Sequence, residues 1–241
     1  ALSIEFLTQE PRNLGREGGI LPAILGTLFL VFGSILFAVP IGILAGIYLA
    51  EYTKEGRMTR VIRFGLDSLN GTPSIVFGLF GMVVFVRLFG LGISMLAGWI
   101  TLSLMILPTI VRTTEEALIS IPQSVRDGSL ALGSSKWQSI SRVALPAAIP
   151  GIITGVILGM GRSSGETAPI LFTSATFSQK GIPTLFAPVA ALPYHLFVLS
   201  TNVPGSSTVA AGTALVLLLL VIMLYSAAIW LRNRYEKKIQ W

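Results

Sequence analysis

The chain has 241 residues, 53% of them hydrophobic and only 12% charged, with a mean hydropathy of +0.79. A soluble domain carries roughly 25% charged residues, so a fold with a complete polar coat is excluded. The net charge is +6 and there is no cysteine, which excludes a disulfide framework, a thiolate metal site and a cysteine nucleophile.

Charged residues are scarce enough that the gaps between them read as membrane spans, each needing about 20 apolar residues. No charge occurs over 18–50, 68–86, 88–111, 143–161 or 181–231. The sequence opens on Ala1 without a basic region followed by a short apolar core, so it reads as lacking a signal peptide and as missing upstream residues. Spans are expected at 20–50, 72–94, 96–112, 148–173 and 206–231. The first carries Gly42 and Gly46 at a spacing of four, and the fourth carries Gly151, Gly155 and Gly159, ridges that let helices pack closely. Before the second span, Asn70-Gly71-Thr72-Pro73-Ser74 reads as a helix start with Thr72 as cap and Pro73 in the first position. The last charge-free run is too long for one crossing. Pro183, Pro188, Pro193 and Pro204 interrupt it, so 182–199 reads as a short surface or re-entrant segment.

Five spans place 51–71, 112–147 and 232–241 on one side. These hold twelve basic residues: Lys54, Arg57, Arg60, Arg63, Arg112, Arg126, Lys136, Arg142, Arg232, Arg234, Lys237 and Lys238. The other side holds Arg12, Arg16 and Lys180. The positive-inside rule makes the first set cytoplasmic and the N-terminal segment external. The expected organisation is therefore an external segment 1–19, a transmembrane domain 20–231 and a cytoplasmic tail 232–241. One further helix is expected upstream of the chain. Basic clusters alternating with apolar spans are a topology signal, and no nucleic-acid partner is expected.

The one long cytoplasmic segment, 113–147, mixes charged and apolar residues at helical spacing. Val125, Leu130, Leu132, Trp137, Ile140 and Val143 are its apolar anchors, Gly133 interrupts it, and Pro122 and Pro146 bracket it. Two or three short helices at the membrane surface are expected. Within it, Asp127-Gly128-Ser129 is followed after three residues by Gly133 and after nine more by Val143-Ala144-Leu145-Pro146. This resembles the EAA loop of ABC importer permeases, E-A-A-x3-G-x9-I-x-L-P, with Asp for Glu, Val for Ile, and small Gly128 and Ser129 for the alanines. The resemblance implies an all-α, polytopic transmembrane helical bundle of the MetI-like permease fold. In such a fold Asp127, Gly128, Ser129, Gly133, Val143, Leu145 and Pro146 form the coupling loop that docks on a cytoplasmic ATPase. An amphipathic helix resting on lipid, served by Lys136 and Trp137, is the competing reading.

Residues 46–81 and 161–172, the latter GRSSGETAPILF, resemble the phosphate-specific permeases of PstA type, and together with the loop the resemblance covers most of 20–231. It implies phosphate as substrate, a homologous second permease of PstC type, two ATPase subunits of PstB type and an external phosphate-binding protein of PstS type, with transport by alternating access. Sulfate and molybdate permeases are the nearest alternative, an ion-coupled secondary transporter a more distant one, and a membrane scaffold without transport a third.

Arg162 falls about 14 residues into the expected fourth span, roughly 21 Å along the helix axis. An ionisable group at that depth is expensive and usually faces a bundle interior or a water-filled path. A guanidinium is also the side chain best shaped to hold a tetrahedral oxyanion. Glu166 lies one turn further on the same face. Two readings compete: an ion pair that only neutralises itself, and a relay in which phosphate competes with Glu166 for Arg162. The second is favoured, with Ser163, Ser164 and Thr167 as additional hydroxyl donors. Arg87 reads as snorkelling outward, and the lone His195 has no carboxylate or second histidine near it in sequence. No phosphate-binding G-x-x-x-x-G-K-[ST] occurs, so ATP hydrolysis is expected in a partner. No catalytic role, cofactor or metal is expected of this chain.

Overall fold

A computed structural model describes residues 3–177, 179 and 181–239. The chain begins with α1 (Ile4–Thr8), whose cap Ser3 accepts a hydrogen bond from the Phe6 N–H at 3.2 Å. A two-residue antiparallel ribbon follows, β1 (Pro11–Arg12) and β2 (Glu17–Gly18), with Pro11 opposite Gly18. Next come α2 (Leu21–Ile47), closed by a π-helical turn Tyr48–Tyr52, and α3 (Arg57–Asn70). Then follow α4 (Ser74–Gly81), extended by a π-helical segment Met82–Leu88, and α5 (Met95–Ile119). The short α6 (Gln123–Ala131) precedes α7 (Lys136–Ser139), which runs through a π-helical turn Ile140–Ala144 into α8 (Leu145–Gly165). The chain ends with α9 (Ala168–Thr173), α10 (Leu192–Asn202) and α11 (Ser207–Ile239).

Four continuous helical segments are long and apolar enough to cross a membrane: Leu21–Tyr52, Met95–Ile119, Lys136–Gly165 and Ser207–Glu236. The helices Arg57–Asn70 and Ser74–Leu88, bent by 99° at their break, make a fifth if counted as one span. The expected all-α polytopic architecture is thus present, and α10, at 11 residues or about 16 Å, is too short to be a further crossing.

Several boundaries differ from expectation for identifiable reasons. The span expected over 96–112 continues to Ile119 because its charges are paired: Glu115, 1% exposed, accepts from Arg63 at 2.8 Å and from Arg112 at 3.1 Å. The span expected over 148–173 begins at Lys136 instead, where Ser135 and Gln138 form a reciprocal capping box. Pro146 does not end this helix. The π-helical turn before it carries a Leu145 N–H to Ile140 carbonyl bond, and this wider turn accommodates the proline ring that would clash in a regular α-helix. The helix does stop at Gly165, and Pro169 in the first turn of α9 restarts it, so Glu166 and Thr167 lie in a break. Thr72 is not the cap of α4: Pro73 holds that position and the helix starts at Ser74. The C-terminal residues 232–239 continue α11 without interruption.

The chain divides into two compact units, residues 1–37, 72–105 and 160–224 in one and 38–71, 106–159 and 225–241 in the other. In the first, the buried segment 189–192 takes the place of a solvent loop. The carbonyls of Thr173, Leu185 and Ala187 accept from the N–H groups of Ser94, Leu96 and Met95, satisfying the otherwise orphaned start of α5. Thr27 Oγ1 accepts the Leu192 N–H at 2.8 Å. Phe6, Ile20, Ala23, Ala190, Leu192, Val216 and Leu220 form the apolar cluster there.

In the second unit α5 lies between two glycine-faced helices. A Cβ added to Gly42 or Gly46 of α2 would stand 2.6 Å from Ile110 Cγ2 or Thr114 Cβ, and one added to Gly155 of α8 would stand 1.8 Å from Thr113 Oγ1. Gly151 faces Ala117 and Gly159 faces Ile106. Contacts therefore advance together along α2 and α5 and in opposite directions along α5 and α8. Gly155→Val is expected to destabilise the protein by about 1–3 kcal/mol through overpacking. Gly65→Ala on the open face of α3 is expected to be neutral or stabilising by about 0.5–1 kcal/mol. Thermal denaturation in detergent micelles distinguishes the two.

Candidate functional sites

Two sets of sequence-predicted residues lie in different units. In the first unit, Arg162 occupies the last turn of α8, where a cation is favoured by the unsatisfied carbonyls of a helix C-terminus. Glu166 sits in the break that follows, and its Oε1 lies 3.9 Å from Arg162 Nε, beyond hydrogen-bond range. Both side chains are largely covered, with 29% and 19% exposure. Arg162 makes no hydrogen bond among the described residues. By contrast Arg63, Arg112 and Arg126 each have a carboxylate oxygen within 3.2 Å. The guanidinium of Arg162 is thus the one in this set with its donors unspent.

The neighbouring hydroxyls divide. Ser163 and Ser164 are buried, and each donates to a carbonyl of its own helix, Met160 at 3.1 Å and Gly161 at 2.9 Å. Their protons are therefore turned away from any approaching anion, and only a rotamer change would offer them as donors. Thr167 begins α9 without a side-chain cap, and its hydroxyl has no hydrogen-bond partner among the described residues. The short α9 packs on α4: a Cβ at Gly78 would stand 2.7 Å from the Ala168 carbonyl. Sequence placed Arg162 mid-span, whereas the continuous helix ends three residues after it. Gly165 and Pro169 were the available signals of that break.

In the second unit, the loop residues separate into two groups. Asp127, Gly128, Ser129 and Gly133 lie on α6 and the turn behind it. This helix has no buried residue. Val125, Leu130 and Leu132 point outward, and nothing stands within 4 Å of where a Cβ on Gly128 or Gly133 would be. Gly133 has φ +86°, the left-handed conformation that ends α6. Val143, Leu145 and Pro146 are not part of this surface. They belong to the helix that starts at Lys136, where Leu145 packs against the cluster of Ile47, Leu118, Ile140, Ala144, Ala148 and Ile152.

The residues that hold α6 in place were missed in the sequence. Arg126 donates to Glu51 Oε1 from both Nε, at 3.1 Å, and Nη2, at 2.9 Å, and also to the carbonyls of Leu118 and Ile121 at the end of α5. Lys136 donates to the Glu51 carbonyl at 2.6 Å and lies over the Tyr52 ring at 4.7 Å. Ser129 Oγ bonds Ser139 Oγ. One cleft of about 630 Å³ opens beside these contacts, lined by Glu51, Ile121, Pro122, Arg126, Lys136 and Ile140 among others. Only a long-range partner explains these roles, and a sequence gives no spacing for Glu51 with Arg126. His195 is buried on α10, stacked on Phe177 at 4.9 Å, and neither ring nitrogen has a partner among the described residues.

A polytopic all-α chain with an exposed, tethered short helix between two spans has the organisation of a transporter's membrane subunit. Residues 38–240 match the family described as the binding-protein-dependent transport system inner membrane component, and the chain belongs to that family. It is a multi-pass inner-membrane permease of the ABC type, a transport subunit and not an enzyme. Among curated relatives it is 34% identical to a probable ABC transporter permease protein, YqgI, of Bacillus subtilis, covering 99% of this chain and 86% of that protein. It is 38% identical to the phosphate transport system permease protein PstA of Haemophilus influenzae, over 92% and 79%, and 36% identical to PstA 1 of Mycobacterium tuberculosis H37Rv, over 89% and 70%. Among solved structures it resembles an inward-facing MetNI methionine ABC transporter chain with TM-score 0.68 and 20% identity, over 90% and 94%. A bacterial alginate ABC transporter chain matches with TM-score 0.71 and 15% identity, over 96% and 82%.

The positive φ at Gly133 gives a local test. Gly133→Val is expected to cost about 1–2 kcal/mol, because a β-branched residue clashes with its own carbonyl there. Gly133→Asn, which tolerates this conformation, is expected to behave nearly as wild type. Limited proteolysis of residues 120–135, compared between the two variants, measures the difference.

Proposed function

We propose that this chain is the transmembrane permease subunit of an ATP-driven phosphate importer. The observation that carries the substrate is Arg162, a partly buried guanidinium whose only carboxylate contact among the described residues is a loose 3.9 Å approach to Glu166. Such a group offers paired donors to a tetrahedral oxyanion, and the carboxylate beside it weakens the hold enough to release the anion. Thr167, with its unpartnered hydroxyl, adds a donor at the same helix break. The PstA names carried by relatives at 36–38% identity agree with phosphate over sulfate or molybdate.

The second unit supports the rest of the assembly. All twelve basic residues assigned to one side belong to it, and the positive-inside rule favours that side as cytoplasmic. The exposed α6, with Asp127, Gly128 and Ser129 on it and Gly133 ending it, is the docking surface for a PstB-type ATPase. Its small residues allow close approach and its apolar side chains supply the contact. Two such ATPases, a homologous PstC-type permease beside this chain and a PstS-type external binding protein complete the transporter. Because Arg126 and Lys136 fasten α6 to the end of α2, ATPase closure moves α6 and α2 together rather than bending a loop.

Arg162→Gln is expected to lower ATP-dependent phosphate uptake in proteoliposomes by about ten- to a hundredfold, the value of a charged hydrogen-bond contact. Copurification of the ATPase should be unchanged. Uptake equal to wild type would remove Arg162 from the anion path, and faster sulfate or molybdate uptake by wild type would reassign the substrate.

A further inference from the structure

The polarity of α3 is reversed. Arg63, 24% exposed, faces α5 and pairs with Glu115 at 2.8 Å, and Thr59 on the same face is buried, while Asp67, one turn on and 55% exposed, pairs with Arg112 at 3.2 Å at the edge of that face. The opposite face is hydrocarbon turned outward: Met58 is 75% exposed and Val61 64%. Nothing stands within 4 Å of a Cβ placed on Gly65 between them. A helix at a water boundary puts its ion pairs outside and its apolar face inside. This one does the opposite, so its outer face meets something other than water.

Two observations identify the occupant. Arg57 and Arg60 flank the apolar face, both exposed and neither within ion-pair distance of a carboxylate among the described residues. Just before α3, Tyr48 and Tyr52 end the first span, exposed and stacked with ring centroids 6.4 Å apart. Exposed tyrosines at a span end mark the headgroup level of a bilayer. A protein partner would have to bring both an apolar groove and carboxylates for two arginines, whereas a lipid leaflet supplies acyl chains and phosphate side by side. We propose that α3 lies in the membrane interface and that Arg57 and Arg60 bind the headgroups of anionic phospholipids, with Met58 and Val61 seated among the acyl chains.

These 241 residues contain no cysteine, so labels on them report only the engineered positions. Nitroxide labels are placed at M58C and V61C in the assembled transporter, reconstituted in nanodiscs of mixed phosphatidylcholine and phosphatidylglycerol. They are expected to collide with oxygen and to be protected from an aqueous nickel chelate. Access to nickel, which means water, or protection from both reagents, which means a covering protein, would overturn the proposal. In the same discs, spin-labelled phosphatidylglycerol is expected to be immobilised in preference to phosphatidylcholine. R57Q and R60Q should each reduce that preference, at most by about fivefold, the factor that ~1 kcal/mol per basic residue at an anionic surface represents. An unchanged preference in the double variant would also overturn it.

Discussion

The second unit depends on how closely two helices approach α5. Lipid tails are as apolar as leucine, so helices in a bilayer gain little from hiding hydrocarbon and associate through van der Waals contact at short range. Gly42 and Gly46 on one side, and Gly151 and Gly155 on the other, remove the side chains that would keep α2 and α8 away. At Gly155 the approach is so close that any Cβ would overlap Thr113. The direction in which these contacts advance brings the end of α2, the end of α5 and the beginning of the helix containing α8 to one place. That convergence lets Glu51, Arg126 and Lys136 meet although they are 75 and 85 positions apart.

Charge follows from this packing. Glu115 is almost wholly buried, and an ionised carboxylate there is tolerable only because Arg63 and Arg112 both reach it. Arg126 is similarly consumed, by one carboxylate and two carbonyls that the end of α5 leaves free. These arginines are structural because their donors are occupied. Arg162 is covered to a similar degree as Arg63 and Arg112 yet makes no hydrogen bond among the described residues, and burial alone does not register that difference. Occupancy of the donors does.

The spans were legible because charge is excluded from hydrocarbon, and the intervals between charged residues located the helices long and apolar enough to cross a membrane. Boundaries failed where a charge is paired by a distant residue. Arg112 closes the charge-free run and so ends the expected span, but the helix continues past it to Ile119 because Arg112 and Arg63, the latter 52 positions away, both reach Glu115. The loop spacing from Asp127 to Pro146 was legible as a pattern but not as a shape. Gly133 is a turn, as its position implied, whereas Pro146 sits inside a helix because a π-helical turn precedes it. For Arg162 the residue type was readable and its place in the helix was not, since Glu166 and Thr167 look helical until the effect of Pro169 is weighed.

Two helices of the second unit, α3 and α6, present exposed apolar side chains among the described residues, and their chemistry suits them to different neighbours. On α6 the exposed apolar side chains alternate with Gly128 and Ser129, and a left-handed glycine closes the helix, so a rigid surface with little side-chain bulk is offered. A folded partner with a complementary groove makes use of such a surface, because shape recognition needs a fixed backbone. On α3 the outer face carries long, flexible or bulky groups, Met58 and Phe64, beside Arg57 and Arg60, which have no carboxylate within ion-pair distance among the described residues. Fluid acyl chains need no shape match and accept such groups, while their headgroups satisfy the cations. On the proposed reading, the same unit separates a face for a partner protein that moves from a face for the membrane against which it moves.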